Sequence, residues 1–150
     1  MELKIIPVIQ VLIAASFMIV IKSITPNFHY FFAFNQLIAM SLLTVAFIIG
    51  VLAIYCFKVH QTTVNPISIE KTNKVVDTGI YRYSRNPMYL AMLLALFALA
   101  VYLSHWLTWL VLPFFIVYIT RYQIIPEERS LRNNFGQDYL LYTNKVRRWL

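Results

Sequence analysis

The sequence predicts a single-domain, all-α integral membrane protein, and three observations carry that prediction. Hydrophobic residues make up 60% of the chain and charged residues 13%, against about 45–50% and about 25% in soluble domains. The surplus falls in uncharged blocks, the longest running 35 residues from 86 to 120 without Asp, Glu, Lys or Arg. The remaining charge is basic, a net +7. In a membrane chain this reads as the Lys/Arg excess of cytoplasmic segments, with anionic headgroups as a secondary partner and no nucleic acid implied.

About four transmembrane helices follow in order. Residues 5–21 are apolar except for Gln10 and Ser16, with Pro7 tolerable in a first turn and Lys22 able to snorkel to the interface. This stretch lacks a small-residue cleavage site and reads as a retained first span rather than a signal peptide. Residues 23–36, with Pro26, Asn27 and clustered Phe and Tyr, have the composition of an interfacial aromatic belt; an aromatic ligand cage is the alternative. Residues 37–57 form a complete uncharged span, with Gly50 marking close helix packing. Residues 58–87 are a polar loop with a turn at Asn65-Pro66 and a polar run from Thr72 to a glycine turn at Gly79.

One helix over residues 86–120 would measure ~50 Å, too long for a hydrocarbon core of ~30 Å. Ser104-His105 is the polar break, so the run predicts a helical hairpin with arms 88–103 and 106–121. Trp106 and Trp109 sit at the turn as interface anchors, and Pro113 predicts a kink in the second arm. In the polar segment 122–150, Pro126-Glu127-Glu128 reads as a helix start and Phe135-Gly136 as its end. A second short helix through Tyr139, Leu140 and Tyr142 is expected along the membrane surface. Beyond it, Lys145, Arg147, Arg148 and Trp149 suit anionic headgroups.

The Lys/Arg-rich segments are 58–87 and 122–150, and four spans with both termini cytoplasmic put them on one side. They emerge from adjacent arms of one hairpin and can build a single site. Arg82 and Arg85 are interleaved there with Tyr81, Tyr83 and Tyr89; interfacial arginines and belt tyrosines are also what the membrane alone would predict. Asn86-Pro87 is more pointed, because a residue held extended before proline makes a rigid lead into the helix and aims Arg85, Asn86 and Tyr89. Glu127 and Glu128 read either as helix N-terminal acids, with Arg132 an i,i+4 partner of Glu128, or as carboxylates for an ammonium or sulfonium centre.

Other chemistries find little support. Cys56, the only cysteine, lies in an apolar run and reads as an inert buried thiol, with no disulfide possible within the chain. His29, His60 and His105 lack metal-ligand spacing, and no metal is expected. No nucleophile is paired with a base. Three glycines far apart give neither a Gly-x-Gly-x-x-Gly loop nor a P-loop.

The run from Gly79 through Tyr81, Arg85, Asn86, Pro87 and Tyr89 to Leu90, followed by Glu127, Glu128, Leu131, Phe135, Gly136, Tyr139 and Tyr142, resembles the isoprenylcysteine carboxyl methyltransferases and the related phospholipid methyltransferases. Thr62 to Pro66 adds to the likeness to small bacterial members, and the resemblance covers about residues 62–150. It implies transfer of a methyl group from S-adenosylmethionine on the cytosolic side of a bacterial inner membrane to a lipophilic acceptor entering from the bilayer. It also implies a cofactor pocket of Tyr81, Arg85, Asn86, Pro87 and Tyr89 facing Glu127 and Glu128, with Glu128 and Arg132 as the catalytic pair and Arg132 near the acceptor. Two residues depart from the family pattern: Asn86 stands where histidine is usual, and Ala91 where glycine is usual. Both bear on the acceptor more than on the cofactor. Two alternatives stay open: an NADPH-dependent membrane reductase resembling the sterol reductases, with Arg85 and Arg132 on a 2′-phosphate, and a non-catalytic lipid-binding membrane protein.

Overall fold

The computed structural model describes residues 6–59 and 76–150. The expected turn at Asn65-Pro66, the polar run from Thr72, and Glu70 lie outside the described residues. Five α-helices are present among the described residues: α1 Pro7–Ile24, α2 Asn35–Val59, α3 Pro87–Leu103, α4 Val111–Ile119 and α5 Ile125–Lys145. No strand occurs among the described residues; His29 and His105 form one isolated bridge. Three helical runs are long and apolar enough to cross a membrane, Pro7–Ile24, Asn35–Val59 and Trp106–Lys145, and Pro87–Leu103 is apolar but shorter at 17 residues.

The buried interior is narrow. Met18 of α1, Leu96 and Ala100 of α3, and Leu112, Phe115 and Ile119 of α4 form its main cluster. Large apolar side chains such as Phe17, Phe47, Phe114 and Val117 point outward, which a water-soluble chain rarely allows over so wide an area. α2 packs along α3 through small residues: Ala39, Ala46 and Ala53 are its buried positions. A Cβ placed on Gly50 would meet the Ala91 Cβ at 3.7 Å. Gly50 therefore leaves ample room for the methyl at position 91 across the seam, and helix association rests on small-residue packing.

At one end of the bundle, Ser104 closes α3 in the left-handed conformation (φ 49°, ψ 50°) and His105 turns the chain back. The hairpin break thus falls where the sequence places it. His105 is fully buried, its Nε2 meeting the Thr25 carbonyl at 2.7 Å, while Asn35 Nδ2 donates to Ser104 Oγ at 2.7 Å. Trp109 Nε1 donates to Tyr30 Oη at 3.3 Å, and Trp106 packs on the Tyr30 ring. Phe31 is 94% exposed and Phe34 63%, and Tyr30, Phe31 and Phe32 line an open hollow with His29 and Ser104.

The second arm is less regular than expected. It begins as a 3₁₀ helix, Trp106–Leu110, and becomes α-helical at Val111. Pro113 therefore lies in the first turn of α4 beside that change of pitch, where its missing N–H matters least. The chain does not leave the helix before Pro126. It passes through a π turn, Thr120–Ile124, directly into α5. Pro126 cannot donate to the carbonyl four residues back, and the wider π turn absorbs that gap. Within α5 the break falls at Gly136 (φ 49°, ψ −116°), at the glycine the sequence marks. Beyond it the helix runs on through Tyr139, Leu140 and Tyr142 to Lys145, with Tyr139 and Tyr142 buried against Leu131 and Phe135.

Candidate functional site

The site forms at the end opposite the hairpin turn, where α3 begins and α5 leaves the π turn. A 3₁₀ turn, Gly79–Arg82, leads in. Gly79 has φ +58°, and a Cβ there would lie 2.7 Å from Cys56 Sγ; the glycine is required both by its backbone and by the end of α2. Tyr81 is buried, edge-on to Phe57, and its carbonyl accepts a 2.8 Å bond from the Tyr142 hydroxyl. This bond ties the second arm of α5 to the approach to α3. Burial pushes the Tyr81 and Tyr142 hydroxyls above the usual tyrosine range.

Asn86 precedes Pro87 at φ −130°, ψ 54°. Its backbone N–H donates to Ser84 Oγ at 3.1 Å and its Nδ2 to the Arg148 carbonyl at 2.9 Å. Pro87, at the first helical position, is buried and sets the axis along which Tyr89 projects. The Tyr89 hydroxyl donates to Glu127 Oε1. The adjacent acid looks elsewhere: Glu128 Oε1 is 3.2 Å from Arg85 Nη1 and accepts from Arg148 Nε at 3.0 Å, and Glu128 Oε2 accepts from Arg148 Nη2 at 2.7 Å. Arg148 closes a planar two-bond fork on Glu128, and that bonding raises its own pKa.

The twin acids are thus electrostatically unlike. Glu128 sits between two guanidinium groups. Glu127 has none in contact among the described residues; burial drives its pKa from 4.5 up to about 7, the Tyr89 hydrogen bond opposes this, and the Glu128 charge adds to it. The Tyr139 hydroxyl is raised to about 12, by burial first and the Glu128 charge second, with Arg85 opposing. Arg85 keeps one buried donor, Nε, without a hydrogen-bond partner among the described residues.

The structure therefore brings together Tyr81, Arg85, Asn86, Pro87, Tyr89, Glu127 and Glu128. Arg132 is exposed on α5 and, like Arg85, acts on Tyr139 through its charge. Glu128 pairs with Arg85 and Arg148 across the fold, where an i,i+4 pairing with Arg132 is the local expectation. Arg148 is missed altogether by sequence reasoning: it is turned inward on Glu128 where headgroup contact is expected. Nothing local signals this, since Arg147, its neighbour of the same type, is exposed. Among the described residues no group of three His, Cys, Asp or Glu is placed to hold a metal ion.

Geometrically, the corner offers a buried acid able to meet a cation, a guanidinium with a spare donor, and aromatic walls. Such a set fits a zwitterionic, cation-bearing ligand better than a polyphosphate. A Haemophilus influenzae protein of uncharacterised function is 46% identical over 63 residues, covering 42% of this chain and all of that protein. No solved structure matches the chain. The family model of the phospholipid methyltransferases matches residues 34–138, which include the whole of α2, α3 and α4 and both acids. The chain belongs to the phospholipid methyltransferase family.

Proposed function

We propose that this protein is an S-adenosylmethionine-dependent methyltransferase of a bacterial inner membrane, with four spans and both termini cytoplasmic. The observation that carries the reading is the meeting of Glu127 and Glu128 with the Arg85–Asn86–Tyr89 corner across one helical hairpin. When bound, S-adenosylmethionine supplies an electrophilic methyl on a sulfonium centre, so the protein's task is alignment and exclusion of water. Tyr81 and Tyr89 give π-rich walls suited to a cation, and Glu127, once ionised, supplies a negative charge at low dielectric. Arg85 offers Nε to a carboxylate of the ligand. Asn86 holds the start of α3 through its amide, a task that needs no imidazole.

The acceptor is lipophilic, with oxygen, nitrogen or sulfur as its nucleophile. An apolar groove of about 670 Å³ between α1 and α4 supports this, lined by Ile13, Phe17 and Phe114 and ending at Arg121 and Tyr122. Arg132, near the open side of α5, would meet the acceptor's polar end. A reductase reading is less favoured by the same geometry, because the Arg85 guanidinium that would face a 2′-phosphate is committed to Glu128. Calorimetry of the detergent-solubilised protein with S-adenosylhomocysteine and with NADP tests the choice. Micromolar binding of the first is expected; tight binding of NADP alone would overturn the proposal. Mass spectrometry of lipid extracts labelled from methyl-deuterated methionine, with and without the protein, would then identify the acceptor.

A further inference from the structure

The last five residues are part of the site. α5 ends at Lys145, Val146 is extended (φ −123°, ψ 133°), and the chain runs back beneath the start of α3. Val146 is buried with Tyr139 and Tyr142. The Arg147 carbonyl accepts from the Arg85 backbone N–H at 3.0 Å, and the Arg148 carbonyl from Asn86 Nδ2 at 2.9 Å. Trp149 packs against the core cluster that contains Tyr89, Ile119 and Ile124. The strap therefore fastens both residues on either side of the Arg85–Asn86 peptide, while its one inward guanidinium fastens Glu128.

We infer that Arg148 is a positioning residue for the cofactor pocket: its two-bond fork sets the plane of the Glu128 carboxylate, and through it the direction in which Arg85 presents its guanidinium. The inference rests on the proposed function. An exposed single-bonded ion pair would carry little weight, because solvent screens it and two long side chains must be held in one geometry. This pair differs in kind. The Glu128 side chain is 15% exposed and the Arg148 side chain 37%, the contact is bidentate, and Glu128 is shared with a second guanidinium whose side chain is 13% exposed. A planar fork fixes orientation as well as distance, which an ammonium at the same place does not. Without it, Glu128 is free to turn about its last torsion, and Arg85 loses the anchor for Nη1.

Binding of S-adenosylhomocysteine to the full-length protein tests this, with Arg148→Gln, Arg148→Lys and Lys145→Gln compared. Lys145 is exposed at the end of α5 and controls for loss of one positive charge. Arg148→Gln is expected to weaken binding about tenfold, Arg148→Lys to fall between it and wild type, and Lys145→Gln to match wild type. The pH profile supplies a readout that a merely structural role would not move. Glu127 is faced by Tyr89 from α3, Tyr81 from the 3₁₀ turn and Glu128 on α5, with Arg85 and Arg148 behind Glu128. Removing the Arg148 charge leaves Glu128 less compensated, so the midpoint of the pH dependence should move upward in Arg148→Gln. If Arg148→Gln fails to fold, Arg148→Lys carries the test, and wild-type affinity in Arg148→Lys would then overturn the inference. Wild-type affinity and pH midpoint in a folded Arg148→Gln would overturn it while leaving the methyltransferase reading intact. No binding by wild type would overturn that reading, and the inference with it.

Discussion

The two ends of the helical bundle solve the same mechanical problem with different chemistry. At the Ser104–His105 end, a connecting segment is clasped to the hairpin by an imidazole, an amide and the backbone: His105 to Thr25, Asn35 to Ser104, and the Tyr30 backbone N–H to the Ser104 carbonyl at 3.0 Å. At the other end, the approach to α3 is clasped to α5 and to the C-terminal strap by charged groups, Arg85 and Arg148 on Glu128 and Tyr89 on Glu127. Fastening alone needs no carboxylate and no guanidinium, as the first end demonstrates. Buried charge is costly unless compensated, so its concentration at one end marks where the chain does more than hold itself together.

Four changes would break or sharpen that contrast. The largest effect is expected for Glu128→Ala, which strands two guanidinium groups; losing one partner of a desolvated charged pair costs about 2–5 kcal/mol, so S-adenosylhomocysteine affinity should fall ~100-fold or more. Glu70→Ala should leave it unchanged, and equal effects in isothermal titration would place the site elsewhere. Next, His105→Ala should lower unfolding stability by about 1–3 kcal/mol through its lost buried hydrogen bond, with ligand affinity in the folded protein untouched. A large loss of affinity in His105→Ala would erase the division of labour between the ends.

The third concerns pH. Glu127 is protonated in the folded protein up to about 7, against 4.5 ordinarily. The folded state therefore holds a proton that the unfolded chain releases, and this group's contribution to stability declines as pH rises across that window. Binding of a cationic ligand runs the other way: affinity should rise about tenfold between pH 6 and pH 8 as Glu127 ionises. Glu127→Gln should flatten the curve, and an unchanged slope in that variant would assign the titration to another group. The smallest effect is expected for Gly50→Ala. The added methyl meets Ala91 at an ordinary 3.7 Å and the helix gains up to about 1 kcal/mol in propensity, so a melting curve should show slight stabilisation at most. Marked destabilisation would mean that the α2–α3 seam is tighter than its small residues allow.

Much of the helical layout was legible because apolar length and charge placement act locally: the uncharged run and its polar break at Ser104-His105 already specify a hairpin. Gly136 was legible for a related reason, since its backbone geometry (φ 49°, ψ −116°) is one that residues with a side chain rarely adopt. The Arg85–Tyr89 corner and the twin acids were visible as motifs. The use of each acid was not, because Glu127 and Glu128 are neighbours with the same side chain and differ only in what tertiary packing sets against them. Arg148 was invisible for the same reason. The stretch from Lys145 to Trp149 carries three cations and a tryptophan, a composition equally suited to lipid headgroups, and only the path of the strap separates the inward arginine from the outward one. Pro126 gave a half-right signal, marking where α5 starts but not that the helix runs on through it.

The π turn at Thr120–Ile124 has a consequence for how tolerant the site can be to change in length. An α-helix advances about 100° per residue, and a π turn accommodates one more residue than the α-turn it replaces. The extra residue is taken up within the turn, so deleting one residue between Thr120 and Ile124 should let it close to α pitch and leave Glu127 and Glu128 facing Tyr89 and Arg85. A residue removed from the regular helix on either side has no such slack and would swing the acids by roughly 100°. The turn can give up a residue where the helices that flank it cannot.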